Sequence, residues 1–203
     1  MIITKAKPIE EILPFLEGKE RIFLVGCNVC AAKMKTGGEP EVLALFDYLT
    51  GLDYNVIGWA VPTAACSVRS YESLVEKNEK LKEADCVLVM ACGSGTSVIA
   101  SILDLPVTGT NDTLSLGGQI GSSAINHLCS LCGDCNIGDY SGICPNACCP
   151  KSQINGPCGG SKNGMCEVSK TSECVWYIIE KRMKTVQTLP ILNKIKPPKD
   201  HFV

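Results

Sequence analysis

The sequence predicts an α/β fold: a parallel-sheet, Rossmann-like N-terminal domain, then a cysteine-rich C-terminal lobe closed by a helix. Two observations carry this. Short apolar runs alternate with amphipathic segments over the first half of the chain. Nine of the fourteen cysteines then fall within the forty-six residues Cys129–Cys174, where large apolar side chains are scarce. Strands alternating with helices imply parallel pairing and right-handed crossovers.

The elements follow in order. Residues 1–20 read as a lead strand and a helix. Pro8 opens that helix, and Ile9, Ile12, Leu13 and Leu16 form its apolar face. Pro14 is expected to shorten it. Residues 21–26 (RIFLVG) form a strand apolar on both faces. Residues 39–51 form a helix that opens with Pro40 and ends at Gly51. Residues 54–62 form the next strand, 67–84 one charged amphipathic helix, and 85–92 a third principal strand. Residues 97–105 form a helix, and 106–110 begin a fourth strand. The domain reading is 1–120 for the α/β part, 121–189 for the cysteine-rich lobe with its helix, and 190–203 for an extended tail. Val175, Ile178, Ile179, Met183 and Val186 mark one face of the closing helix, expected to dock on the α/β domain, with Trp176 as core.

Charge and composition exclude some functions. A net charge of −2 leaves no electrostatic footprint for nucleic acid. No apolar run reaches membrane-spanning length. The N-terminus lacks an apolar signal core, so a cytoplasmic protein is expected, and its cysteines read as metal ligands rather than disulfides. His127 and His201 are the two histidines, and neither belongs to a hydrolytic or acid–base set.

The cysteine spacing narrows the chemistry. Cys129, Cys132 and Cys135 form a C-x2-C-x2-C run, and Cys-Pro pairs follow at Cys144 and Cys149. This follows ferredoxin logic with an inserted loop. Cys148, Cys158, Cys166 and Cys174 extend the set, so that with Cys149 set aside eight thiolates suffice for two [4Fe-4S] clusters. Four-cysteine zinc sites are the alternative, although zinc knuckles favour two separated C-x2-C pairs. Asp134 and Glu167 read as loop residues. Cys27 and Cys30 follow the strand 21–26, Cys66 follows 54–62, and Cys92 follows 85–92. All four fall at the carboxyl edge of the predicted sheet, where ligands bind, and form a candidate metal site. Cys86, inside a strand, reads as core. Gly93-Ser94-Gly95 lacks the third glycine of a dinucleotide fingerprint and reads as a tight turn. Gly37–Gly38 punctuates a helix start or admits close backbone approach.

Several segments together resemble one family: GCNVCAAKMKTGGEPEV (26–42), the Cys66 and ACGSG (91–95) loops, CSLCGDC (129–135), SGICP (141–145), NGPCGG (155–160), and CEV followed by ECVWYIIEKRM (166–183). They are similar to the methylenetetrahydrofolate reductase C-terminal-like family, whose free-standing members are the small iron–sulfur subunit of the reductase in acetogens and related anaerobes. The resemblance implies an electron-relay subunit that is not itself catalytic. It would serve one-carbon metabolism of the Wood-Ljungdahl type by feeding the FMN of a flavin-bearing large subunit. A further electron-donor subunit or ferredoxin is implied as a partner. By position, the cluster ligands would be Cys129, Cys132, Cys135, Cys144, Cys148, Cys158, Cys166 and Cys174. An N-terminal set of Cys27, Cys30, Cys66 and Cys92 would hold a third cluster or zinc. The family pattern has a further cysteine where Met34 stands here, so that site is altered unless Cys27 completes it. The adjacency of Cys148 and Cys149 leaves open which is the ligand. The alternatives are a zinc-stabilised interaction module and the same relay in another redox or methyl-transfer complex.

Overall fold

The computed structural model describes residues 1–188 and 195–199. The chain divides into two compact units, residues 1–114 and 115–203. The remainder of the expected tail, 190–194 and 200–203 with His201, lies outside the described residues.

The first unit opens with β1 (Ile2–Ala6) and α1 (Ile9–Ile12). Pro8 is the N-cap of α1, and a 3-10 helix continues over Leu13–Leu16 with Pro14 in its first turn. Proline lacks the amide an α-helix needs there, which is why the α geometry stops at Ile12. Next come β2 (Ile22–Val25), α2 (Cys30–Met34), α3 (Glu39–Gly51) and β3 (Val56–Ala60). Then follow α4 (Val68–Lys77), α5 (Glu79–Glu83), β4 (Cys86–Val89), α6 (Gly93–Ala100) and β5 (Val107–Gly109). The predicted 67–84 helix is therefore two helices. Asn78 breaks it: its side-chain amide donates to the Leu74 carbonyl at 2.8 Å, and its backbone leaves helical geometry at φ −120°. Such local bonds compete with the helical ladder. The predicted 97–105 helix also shifts, beginning at Gly93 with Cys92 as N-cap.

Strands β3-β2-β4-β5 form a parallel sheet in that order. Both faces are covered, as the apolar runs required. Phe23, Val25, Val87 and Val89 pack with Leu74, Leu81 and Ile99 on one face. Ile22, Leu24, Cys86 and Leu88 pack with Ile12, Leu16, Val42 and Leu49 on the other. The chain leaves β2 for α3 on one face and β4 for α6 on the other. In sheets of this kind, ligands bind beyond the carboxyl ends of the strands at such a reversal.

Cys86 is fully buried in this core. Burial, then the Asp85 charge, pushes its thiol up to about 11. The folded state therefore favours the neutral thiol. The stability this gives is complete below the ordinary thiol value of 9.0 and is lost as pH rises through about 11. About 2–3 kcal/mol is at stake. Urea titrations between pH 9 and 11 should show a shallower loss of stability in Cys86→Ala than in the wild type; equal slopes would contradict it.

The second unit takes over within β6 (Asn111–Gln119), in a sheet ordered β1-β6-β7. Leu116–Gln119 pairs antiparallel with β7 (Ile125–Cys129). A 3-10 turn over Ile137–Tyr140, α7 (Pro145–Cys148) and α8 (Val175–Val186) complete the described elements. On α8, Val175, Trp176, Ile179 and Met183 are buried, and they pack with Tyr140 and Ile143 of the same unit. Ile178 and Val186, expected on that face, are exposed. Trp176 meets Tyr140 edge to face at 5.4 Å and donates its indole N–H to the Gln153 carbonyl. Among the described residues no helix is long and apolar enough to cross a membrane.

Candidate metal centre

Strand β7 delivers Cys129 as its last residue, and the C-x2-C-x2-C run turns sharply from there. Leu131 takes a left-handed φ of 57°, and Gly133 one of 76°. The Leu131 amide donates to the Cys129 sulfur at 3.4 Å. The Cys132 thiol donates to the Asp134 carbonyl at 3.6 Å. Helix α7 has Cys144 as its N-cap and Cys148 as its last residue, one turn on. The spacing places both on one helix face. Burial and then the charge of Cys144 push the Cys148 thiol up. That thiol also donates to the backbone carbonyl of His127 at 3.6 Å. The His127 side chain itself is exposed.

A second gathering lies beside it. Cys148, Cys149, Cys158, Cys166 and Cys174 line one cavity of about 140 Å³, together with Glu167. An antiparallel bridge between Met165 and Glu173 fixes the two segments that carry Cys166 and Cys174: the Cys166 amide donates to the Ser172 carbonyl at 2.9 Å, and the Cys174 amide donates to the Gly164 carbonyl at 2.7 Å. Cys174 is buried and caps the N-terminus of α8. Burial pushes its thiol up, but hydrogen bonds from Ser161 and from the Tyr177 and Trp176 amides prevail and hold it below the ordinary thiol value. Cys149, set aside in the spacing argument, shares this cavity with Cys148.

Glu167 has a part that the sequence reading missed. Its carboxylate accepts from Lys151 and from the Cys158 thiol, the latter at 3.4 Å. These bonds hold it below the usual carboxylate range, Lys151 first. A Cβ on Gly160 would sit 2.0 Å from the Glu167 Cδ, so the last glycine of NGPCGG is there to admit this side chain. Asp134, also read as a loop residue, contributes its backbone carbonyl.

In the first unit, Cys27 and Cys30 follow β2, Cys66 follows β3, and Cys92 follows β4. Cys66 feels all the others: partial desolvation pushes its thiol up, then the charges of Cys92, Cys27 and Cys30. Small residues let these loops approach. A Cβ on Gly95 would stand 3.0 Å from both the Ala65 and Ala91 methyls. The Gly93-Ser94-Gly95 motif is therefore the close-packed first turn of α6. Met34 lies one turn after Cys30 on the short helix α2.

All fourteen cysteines are free thiols. Among the described residues, no three His, Cys, Asp or Glu side chains are closed around a single point as a metal ion would need. The donor set is of the kind that holds sulfide-bridged iron clusters or zinc through cysteine thiolates. Sulfur donors predominate, five of them surround one cavity, and backbone amides face sulfur.

Fold and site together describe an α/β protein joined to a thiol-rich lobe. Residues 108–202 match the family described as methylene-tetrahydrofolate reductase C terminal, which bears out the family read from the cysteine motifs over that part of the chain. The match begins after Cys27, Cys30, Cys66 and Cys92. No curated protein and no solved structure matches the chain. The family links the chain to an oxidoreductase, methylenetetrahydrofolate reductase.

Proposed function

We propose that this chain is an electron-transfer iron–sulfur subunit, which relays electrons to the flavin of a larger partner subunit that reduces methylene- to methyltetrahydrofolate. The observation that carries it is the cavity ringed by Cys148, Cys149, Cys158, Cys166 and Cys174, in a lobe matching the reductase C-terminal family. When bound, iron–sulfur clusters supply one-electron redox chemistry. Cys129, Cys132, Cys135, Cys144, Cys148, Cys158, Cys166 and Cys174 are the proposed ligands, and the cavity makes Cys149 a competitor of Cys148. The Trp176 and Tyr177 amides stabilise thiolate charge on Cys174. Trp176, which packs edge to face on Tyr140, adds aromatic surface to the cavity wall. Cys27, Cys30, Cys66 and Cys92 form the proposed third site. FMN and the carbon chemistry belong to the partner.

Iron, sulfide and zinc per chain, measured after anaerobic purification, test this. About eight irons correspond to two four-iron clusters and about twelve to three. Electron paramagnetic resonance of the dithionite-reduced protein should show reduced-cluster signals. A colourless preparation holding zinc alone would overturn the proposal.

A further inference from the structure

Lys196-Pro197-Pro198-Lys199 sits in a chain end that would ordinarily be solvated. Two prolines favour an extended polyproline conformation, and the residue before them is extended as well. In that conformation residues three apart lie on the same side, about 9 Å from each other. Lys196 and Lys199 are three apart, and each finds an acidic residue of the cysteine-rich unit. The Lys196 ammonium donates to the Asp139 carboxylate. The Lys199 ammonium donates to the Asp134 carbonyl and stands 4.0 Å from the Asp134 carboxylate.

The backbone is gripped as well. The Asn155 side-chain amide donates to the Lys196 carbonyl at 2.8 Å, and its oxygen accepts from the Lys196 amide at 2.7 Å. This two-point bond imitates one rung of a sheet. It also fixes the register that places Lys199 at Asp134. A solvated arm would show none of these pairings.

Lys199 is the unusual member. Its side chain is only 5% exposed, although Asp134 is 56% exposed. Burying an ammonium costs several kcal/mol unless negative charge faces it. Here one carbonyl and a distant carboxylate are engaged, and the carbonyl belongs to the residue between Cys132 and Cys135. The same carbonyl accepts from the Cys132 thiol. Thiolates of that run, once they hold a metal group, would supply the negative charge that suits this ammonium.

The geometry points to a latch: residues 195–199 clamp the Cys129–Cys135 loop through Asn155 and seat Lys199 as a fixed positive charge beside the group those cysteines hold. The charge effect rests on the proposed iron–sulfur role; the clamp does not. Adding an electron to an anionic thiolate-held cluster is easier beside a cation, so Lys199 raises the reduction potential of that cluster.

Two readouts on the full chain test the latch. Amide hydrogen exchange should show Lys196 protected in the wild type. In Asn155→Ala, exchange at Lys196 and across 129–135 should rise at least tenfold, while β2 and β4 stay protected. A Lys196 amide that exchanges at the rate of free chain in the wild type, or a 129–135 segment indifferent to Asn155→Ala, would overturn the clamp. Redox titration should show the one-electron equilibrium of one cluster shifted about tenfold against reduction in Lys199→Met, about 59 mV. Lys199→Arg should restore it. Unchanged potentials in Lys199→Met would overturn the seated charge. Iron-free protein that still shows the exchange difference would sink the electron-relay reading and leave the clamp standing. Iron-loaded protein without that difference would sink the clamp alone.

Discussion

Gly37→Ala should unfold much of the first unit or cost it at least about 3 kcal/mol. A Cβ there would lie 1.7 Å from the Met90 carbonyl oxygen and 2.7 Å from its carbon. Backbone on a central strand's exit cannot step aside as a flexible side chain can. Relief must therefore move β4 or the loop that carries Gly37. That loop also accepts the Cys27 amide at 2.8 Å, and a Cβ on Gly26 would meet the Gly37 oxygen at 2.5 Å. Displacement would consequently disturb Cys27 and the path to Cys92 together. The loss is a large share of a typical domain's 5–15 kcal/mol. Gly51→Ala is the control. Its Cβ would meet nothing within 4 Å, so a neutral effect or a gain of up to about 1 kcal/mol is expected. Urea midpoints of the two variants decide the matter. A Gly37→Ala protein as stable as the wild type would refute the close approach.

That glycine illustrates what sequence can and cannot disclose. Its pairing with Gly38 was legible as a demand for space, but not which group claimed it. The parallel sheet was legible because both its faces are buried, so that 21–26 and 85–92 are apolar throughout. Helix α3 was legible from Pro40 and Gly51, its local start and stop signals. Asn78 was illegible as a break because the amphipathic pattern passes straight through it, and only its side-chain bond to Leu74 interrupts the ladder. The β6–β7 hairpin was missed for a different reason. Its strands carry no clean two-residue alternation: Leu114 is exposed, and Gly117 and Gly118 stand where apolar side chains would have announced it. The cysteine pattern named the candidate residues of the site, since thiol spacing is a local property. The partners of those thiols were not local. Glu167 reaches Cys158, and Lys199 reaches Asp134, through folding of segments without apolar periodicity.

On the proposed iron–sulfur role, the largest effect is expected from removing metal. The second unit's described apolar core is small: Tyr140, Cys174, Val175, Trp176, Ile179 and Met183, with Ile143, Cys148 and Cys149 partly packed against it. Three of these nine are cysteines, all lining the same cavity. The long loops between Cys129 and Cys174 are otherwise held by isolated turns and a few side-chain bonds. Such contacts offset little of the roughly 1–2 kcal/mol per residue that ordering a backbone costs. Bonds from metal to thiolate, formed in the folded state alone, add their binding free energy to folding. Stripping iron anaerobically with a chelator should therefore abolish amide protection across 129–174. Helix α8 should fray from Cys174, because its N-cap loses its anchor. The first unit should keep its protection at β2 and β4, whose own residues Phe23, Leu24, Val87 and Leu88 are fully buried in an apolar core. Hydrogen exchange before and after stripping reads both units in one experiment. If 129–174 stayed protected with iron gone and no other metal in its place, hydrocarbon and hydrogen bonds would suffice to hold that lobe. The case for thiolate-bound iron as its framework would then fail.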